Sequence, residues 1–219
     1  MLSNYVGFMQ FQQQITCHLE TKQRPIAPRH SAILRPKRTT RVCSGRRKQS
    51  IKAMRAVVQR VASATVEVEG RLVSAIGPGL LVLVGLHETD VDPDAEYICR
   101  KVLNMRLFPN EKTGKTWDHN VMQKNYEVLL VSQFTLYGVL KGNKPDFHVA
   151  MPPGAAKSFY ASLVERFQKA YRADAVKDGE FGAMMKVNLV NDGPVTMQLD
   201  SRQSSKNTNG DETAGNLHD

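Results

Sequence analysis

Histidine and cysteine are too few and too scattered for a metal centre. His87, His119 and His148 lie far apart, and Cys17, Cys43 and Cys99 stand singly, with no paired spacing of a zinc site. Three isolated cysteines also exclude a disulfide framework and fit a reducing compartment. The longest apolar run, Leu80 to Leu86, is far too short to span a bilayer, so no membrane partner is expected. No glycine-rich phosphate loop of the Walker or dinucleotide type occurs. "DVDPDAEY" imitates the start of a calcium loop with Asp90, Asp92 and Asp94, but Ala95 stands where glycine is needed and Lys101 where the closing glutamate belongs. It reads instead as an acidic helix N-terminus matched to the helix dipole. No metal or cofactor is expected.

Acidic residues are almost missing from one part of the chain. Residues 1–53 hold 11 of the 30 Lys and Arg and a single acid, Glu20. The remainder carries 19 basic and 20 acidic residues, a net charge of −1. The overall +9 therefore belongs to the leader and does not license a basic nucleic-acid face on the folded part. "RPKRTTRVCSGRRKQ" (35–49), rich in Arg and free of acids, suits an organelle transit peptide. A disordered extension, or upstream sequence bypassed by initiation at Met54, is the other reading. The expected compartment is the cytoplasm, with organelle targeting by residues 1–53 as the alternative.

What is present is one domain, residues 54–200, followed by a polar tail, 201–219, expected to be disordered. "AVVQRV", "ATVEVEG" and "RLVSAI" read as strands, and "GPGLLVLVGL" as a turn and a buried strand. A helix is predicted from Asp92 as N-cap with Pro93 at the first position, burying Ile98, Val102 and Met105. "YEVLLVSQFTL" (126–136) reads as a second buried strand. A helix from about Pro153 to Tyr171 follows, with Phe159, Leu163 and Phe167 on one side. "FGAMMKVNLV" and "PVTMQL" supply the last strands. The fold class is α/β: one domain of layered, barrel-like β-sheet backed by two main helices.

Two stretches raise chemical questions. A buried strand should not end on Ser132, Gln133 and Thr135 without partners, since unpaired burial costs about 1–3 kcal/mol per group. Either these groups meet solvent at the strand end, or they line a pocket where backbone N–H groups near Phe134 and Thr135 stabilise an oxyanion. No Ser-His-Asp order accompanies them. In "NLVNDGPVTMQLD" (188–200), Gly193-Pro194 interrupts an alternating strand with two poor strand formers. A third stretch, "LKGNKPDFH" (140–148), reads as a loop whose Lys141 and Lys144 are either solvated or in contact with phosphate.

Taken together and in order, "MRAVVQRV", "SQFTL", "KGNKPDFH", "FGAMM" and "NDGPVT" closely resemble the D-aminoacyl-tRNA deacylases, from Met54 to about Ser201. The resemblance implies a homodimer with active sites at the subunit interface, acting on aminoacylated tRNA. It implies hydrolysis of the ester between a D-amino acid, or glycine, and the 3′-terminal adenosine. Ser132, Gln133, Phe134 and Thr135 take the catalytic positions. Gly193 and Pro194, flanked by Asn191 and Thr196, become a Gly–cisPro element inserted into the partner's pocket, its carbonyl oxygens gripping the substrate amine. Arg60 holds that element, and Phe147, Phe181 and Met184 shape the pocket or pack in the core. Thr135 as nucleophile and the substrate's own 2′-hydroxyl are the two family routes to hydrolysis, and the second is favoured. Two rivals stand beside this reading: a non-catalytic tRNA acceptor-end binding module, which shares the pocket without turnover, and a small-molecule esterase, which needs a nucleophile–base pair.

Overall fold

A computed structural model describes residues 53–202; the leader and the tail, with the transit-peptide and disorder readings, lie outside the described residues. In chain order the elements are β1 (Arg55–Val68), β2 (Arg71–Ile76), β3 (Gly79–Gly85), α1 (Asp92–Asn104), β4 (Glu127–Ser132) and a 3-10 turn (Phe134–Tyr137). Then come β5 (Val139–Lys141), β6 (Lys144–Asp146), α2 (Pro153–Ala170), a short 3-10 turn (Ala173–Ala175), β7 (Val176–Asp178) and β8 (Met185–Asp200).

One six-stranded sheet organises the domain. Along it β8 pairs with β1, β1 with β3 and β2, β3 with β4, and β4 with β7. The β3–β4 and β4–β7 pairs are parallel and the rest antiparallel. The parallel pairs need both faces covered, and "LLVLV" and "VLLV" accordingly bury nearly every residue. The sheet curls on itself. Ser74 Oγ in β2 donates to the Asp178 carbonyl in β7 at 2.8 Å, and Arg71 pairs with Glu180 at 3.0 Å. Val61, Ala64, Val66, Ile76, Leu81, Leu129 and Val131 fill the interior this makes. The opposite face, with Val58, Leu80, Val82 and Leu130, packs against Ile98 and Val102 of α1 and Leu163 and Phe167 of α2. The layered-sheet expectation thus resolves into a single near-barrel sheet, backed by two helices as expected.

Several boundaries differ from the sequence reading. "AVVQRV" and "ATVEVEG" are one strand: β1 runs on through Ala62 and Ser63 while its neighbour changes from β3 to β2. "FGAMMKVNLV" and "PVTMQL" likewise join into β8, because β1 pairs with both halves and absorbs the mismatch in register shifts between Gln59 and Ser63. Gly193-Pro194 bulges out of an edge strand there, where a missing donor is tolerated. "YEVLLVSQFTL" stops being strand at Ser132 and turns 3-10 from Phe134. "LKGNKPDFH" contains a small antiparallel hairpin, β5–β6. Asp92 is the first residue of α1 rather than its cap; Asp94 Oδ2 accepts the Val91 N–H at 3.1 Å.

Asp90, just before α1, is buried, and burial above all pushes its carboxyl up from 3.8 to about 7. A raised folded value means that the stability it lends is complete below the unfolded value and is lost as pH rises through 7. The melting temperature is expected to fall between about pH 5 and 8, and Asp90→Asn to flatten that slope; a slope unchanged in the variant would reassign the effect.

Candidate active site

The strand end at Ser132 is positioned by parallel pairing. Val84 in β3 stands opposite Ser132, and the Gln133 N–H donates to the Val84 carbonyl at 2.7 Å. Beyond that bond the backbone leaves the sheet and winds into the 3-10 turn. Phe134 and Thr135 become exposed, whereas Ser132 and Gln133 are half-buried. The solvent-meeting alternative and the pocket-lining alternative are thus both partly realised. Gln133 Nε2 donates to Thr135 Oγ1. Phe134 meets Phe147 edge to face, centroids 5.0 Å apart, which ties the β5–β6 hairpin to the turn. Gly138 lets Phe147 approach, since a Cβ there would lie 3.1 Å from its ring.

Lys141 and His148 both bind Asp146, whose carboxyl they hold well below its usual range. That engages Lys141 within the hairpin. Lys144 stays exposed.

The second cluster surrounds Gly193 and Pro194, whose peptide link is cis. Asn191 braces the bulge from inside: its Oδ1 accepts the Val195 N–H at 3.0 Å and its Nδ2 donates to Thr196 Oγ1 at 3.3 Å. Arg60 braces it from below. Its Nη1 donates to the Leu107 carbonyl at 2.6 Å, its Nε lies 2.9 Å from Asp192 Oδ2, and its guanidinium stands 6.0 Å from the Trp117 ring. Gly193 has φ +114°, a conformation that side chains resist, and a Cβ on it would lie 2.9 Å from Arg60 Nη2. Glycine is required where the arginine comes this close. Asp192, Trp117 and the Leu107 carbonyl escaped the sequence reading; the acid inside "NDGP" was the visible signal.

Phe181 packs against Tyr160 on the helix side, centroids 5.6 Å apart, so it serves the core. Met184 is 91% exposed and touches neither motif's core.

One chain does not bring the two clusters together. Gly193-Pro194 bulges from β8 opposite Arg60; Ser132 lies three strands away across β1 and β3, and its row meets β1 at Ala56. Three strand spacings and four residues of rise separate the motifs by about 20 Å along the sheet.

Comparison with known proteins bears on all of this. The family model for D-Tyr-tRNA(Tyr) deacylase matches residues 57–200. A D-aminoacyl-tRNA deacylase of Dictyostelium discoideum is 53% identical over 150 residues, 68% of this chain and 99% of that protein. D-aminoacyl-tRNA deacylase 1 of Homo sapiens is 54% identical over 148 residues, 68% of this chain and 70% of that protein. Among solved structures, a c-Myc DNA unwinding element binding protein superposes with TM-score 0.64 at 54% identity, covering 66% of this chain and 97% of the other. A probable eukaryotic D-amino acid tRNA deacylase shares the fold at TM-score 0.60 and 17% identity, covering 68% and 99%. With the match spanning every strand and both helices, the chain belongs to the D-Tyr-tRNA(Tyr) deacylase family.

Proposed function

We propose that the protein hydrolyses D-aminoacyl-tRNA, and glycyl-tRNA, to free amino acid and tRNA, as a chiral check on translation. The observation that carries this reading is the braced bulge at Asn191–Thr196. Exposed main chain is normally soft, but here side chains from both flanks fix it. A rigid backbone wall is what a filter for handedness needs, because a rotamer change cannot relax it. The carbonyl oxygens of Gly193 and Pro194 grip the substrate amine. A D side chain then points to open space and an L side chain runs into the wall, while glycine has nothing to exclude.

The separation of about 20 Å supports a homodimer in which each copy's bulge enters the other's pocket at Ser132–Thr135. So does the outer edge of β8, sixteen residues long, with Leu189, Val190 and Met197 exposed and Met184 just before it. An apolar, unpaired edge of this length is a docking surface for another copy.

The aminoacyl ester is already activated, so modest catalysis suffices. Water attacks the ester carbonyl, and backbone N–H groups at the start of the 3-10 turn, which have no partner inside the turn, hold the oxyanion. Ser132 and Gln133 anchor the terminal adenosine, with Phe134 and Phe147 beside it. Asn191, Thr196 and Arg60 position the partner's filter.

Turnover separates this from a binding module that uses the same pocket. With D-tyrosyl-tRNA in excess, more than one D-tyrosine released per protomer is the expected result. Binding that leaves the ester intact would replace the enzyme with the module.

A further inference from the structure

Both ends of the described domain meet at one buried corner. Ala53 and Met54 have no exposed surface, so the peptide bond between them lies inside the fold. The Met54 N–H donates to Ser201 Oγ at 3.1 Å, and the Met54 carbonyl accepts the Ser201 N–H at 3.0 Å. The Ser201 hydroxyl donates in turn to Asp94 Oδ1 at 2.5 Å. One hydroxyl therefore separates the nitrogen of residue 54 from a carboxylate.

More acid surrounds it. Asp90 is 7% exposed; its Oδ2 accepts the His87 N–H at 2.7 Å, but its buried Oδ1 has no hydrogen-bond partner. Asp200, also buried, pairs with Arg55 at 3.7 Å. Asp94 and Asp200 both repel the Asp90 charge, and Arg202 offsets it. Tyr137, with its ring against His87 and beneath Arg55, closes the corner and donates its hydroxyl to the Ala53 carbonyl. Asp90, Asp94 and Asp200 thus face only Arg55 and Arg202, and one buried carboxylate oxygen lacks a donor.

A peptide N–H offers this corner one donor and no charge. An α-ammonium offers three donors and a full charge, enough for Ser201 and for an acceptor left unpaired. We infer that the corner is a built site for a free α-ammonium on Met54, and that the working polypeptide begins there. Because the Ala53–Met54 bond is buried once folded, the terminus arises before folding. Either translation starts at Met54, or an unfolded chain is cut, water adding across the peptide to leave an Ala53 carboxylate and the Met54 ammonium.

Two further observations fit. The 150 matched residues account for 99% of the Dictyostelium discoideum relative, which leaves no room for a 53-residue leader, so the segment stands as a protein alone. Tyr137 is the last residue of the turn that carries Phe134 and Thr135. Losing the Ala53 carbonyl hands its hydroxyl a new neighbour, so the start of the chain and the catalytic turn are joined.

The test compares the Met54-start protein with the full chain. Acetic anhydride at neutral pH, followed by peptide mapping, should acylate the native Met54 amine at least about tenfold more slowly than the same chain in denaturant, as a one-unit rise in its pKa requires. Asp90→Asn should lower the melting temperature of the Met54-start protein by several degrees and leave the full chain's unchanged or higher. Asp94→Asn should repeat that contrast should Asp90→Asn fail to fold. Native acylation as fast as in denaturant, or equal loss of melting temperature in the two forms, would overturn the inference.

Discussion

Gly193→Ala is expected to lower kcat/KM for D-aminoacyl-tRNA by about a hundredfold or more while the domain stays folded. The added methyl would sit 2.8 Å from Val195 Cγ2 and 2.9 Å from Arg60 Nη2, on a backbone with φ +114°. Arg60 cannot retreat, because Asp192 and the Leu107 carbonyl fix its guanidinium. The bulge must therefore move instead, by something approaching an ångström. Misplacement on that scale in a positioning element costs on the order of 10²-fold. Stability should change little, since Gly193 and Pro194 are exposed on an edge strand and no core side chain depends on them. Steady-state deacylation beside a thermal melt checks both halves. An active Gly193→Ala protein would mean that the bulge takes no part in the reaction.

Replacing the substrate's terminal 2′-hydroxyl by hydrogen is expected to slow hydrolysis by about 10²–10⁴-fold, the range for loss of a positioned acid–base group. Thr135→Ala should leave activity within a few-fold of the parent. The difference follows from what Thr135 touches. Its oxygen accepts an N–H from Gln133, and a donor cannot take the proton that a nucleophilic hydroxyl has to lose. The main-chain groups of the turn survive the change to alanine, so the oxyanion site is kept. Single-turnover assays with matched ribo and 2′-deoxy ends decide the matter. An inactive but folded Thr135→Ala enzyme would make Thr135 the nucleophile.

Much of this molecule could be read before its fold was known. The buried strands and both helices follow from apolar period and length, and "SQFTL" and "NDGPVT" stood out as strands with chemically odd ends. The errors lie where distant pairing overrules local pattern. β1 reads as two strands because Ala62 and Ser63 break the alternation, yet the continuous partner β8 carries it through. The turn at Phe134 hides inside a β-rich run, since nothing local says that β3 ends there. The cradle around Arg60 is harder still. Arg60, Leu107, Trp117 and Asp192 are far apart in the chain and meet only when β1 lies between β8 and β3. Asn191 is the exception, because its bonds to Val195 and Thr196 are local.

Handedness is where the account is most exposed. Matched D- and L-tyrosyl-tRNA, prepared on the same tRNA and offered to the protein under identical conditions, should part sharply: the D ester is released and the L ester is spared, with glycyl-tRNA following the D form. Hydrolysis of both enantiomers at the same rate would contradict it, whatever the bulge looks like.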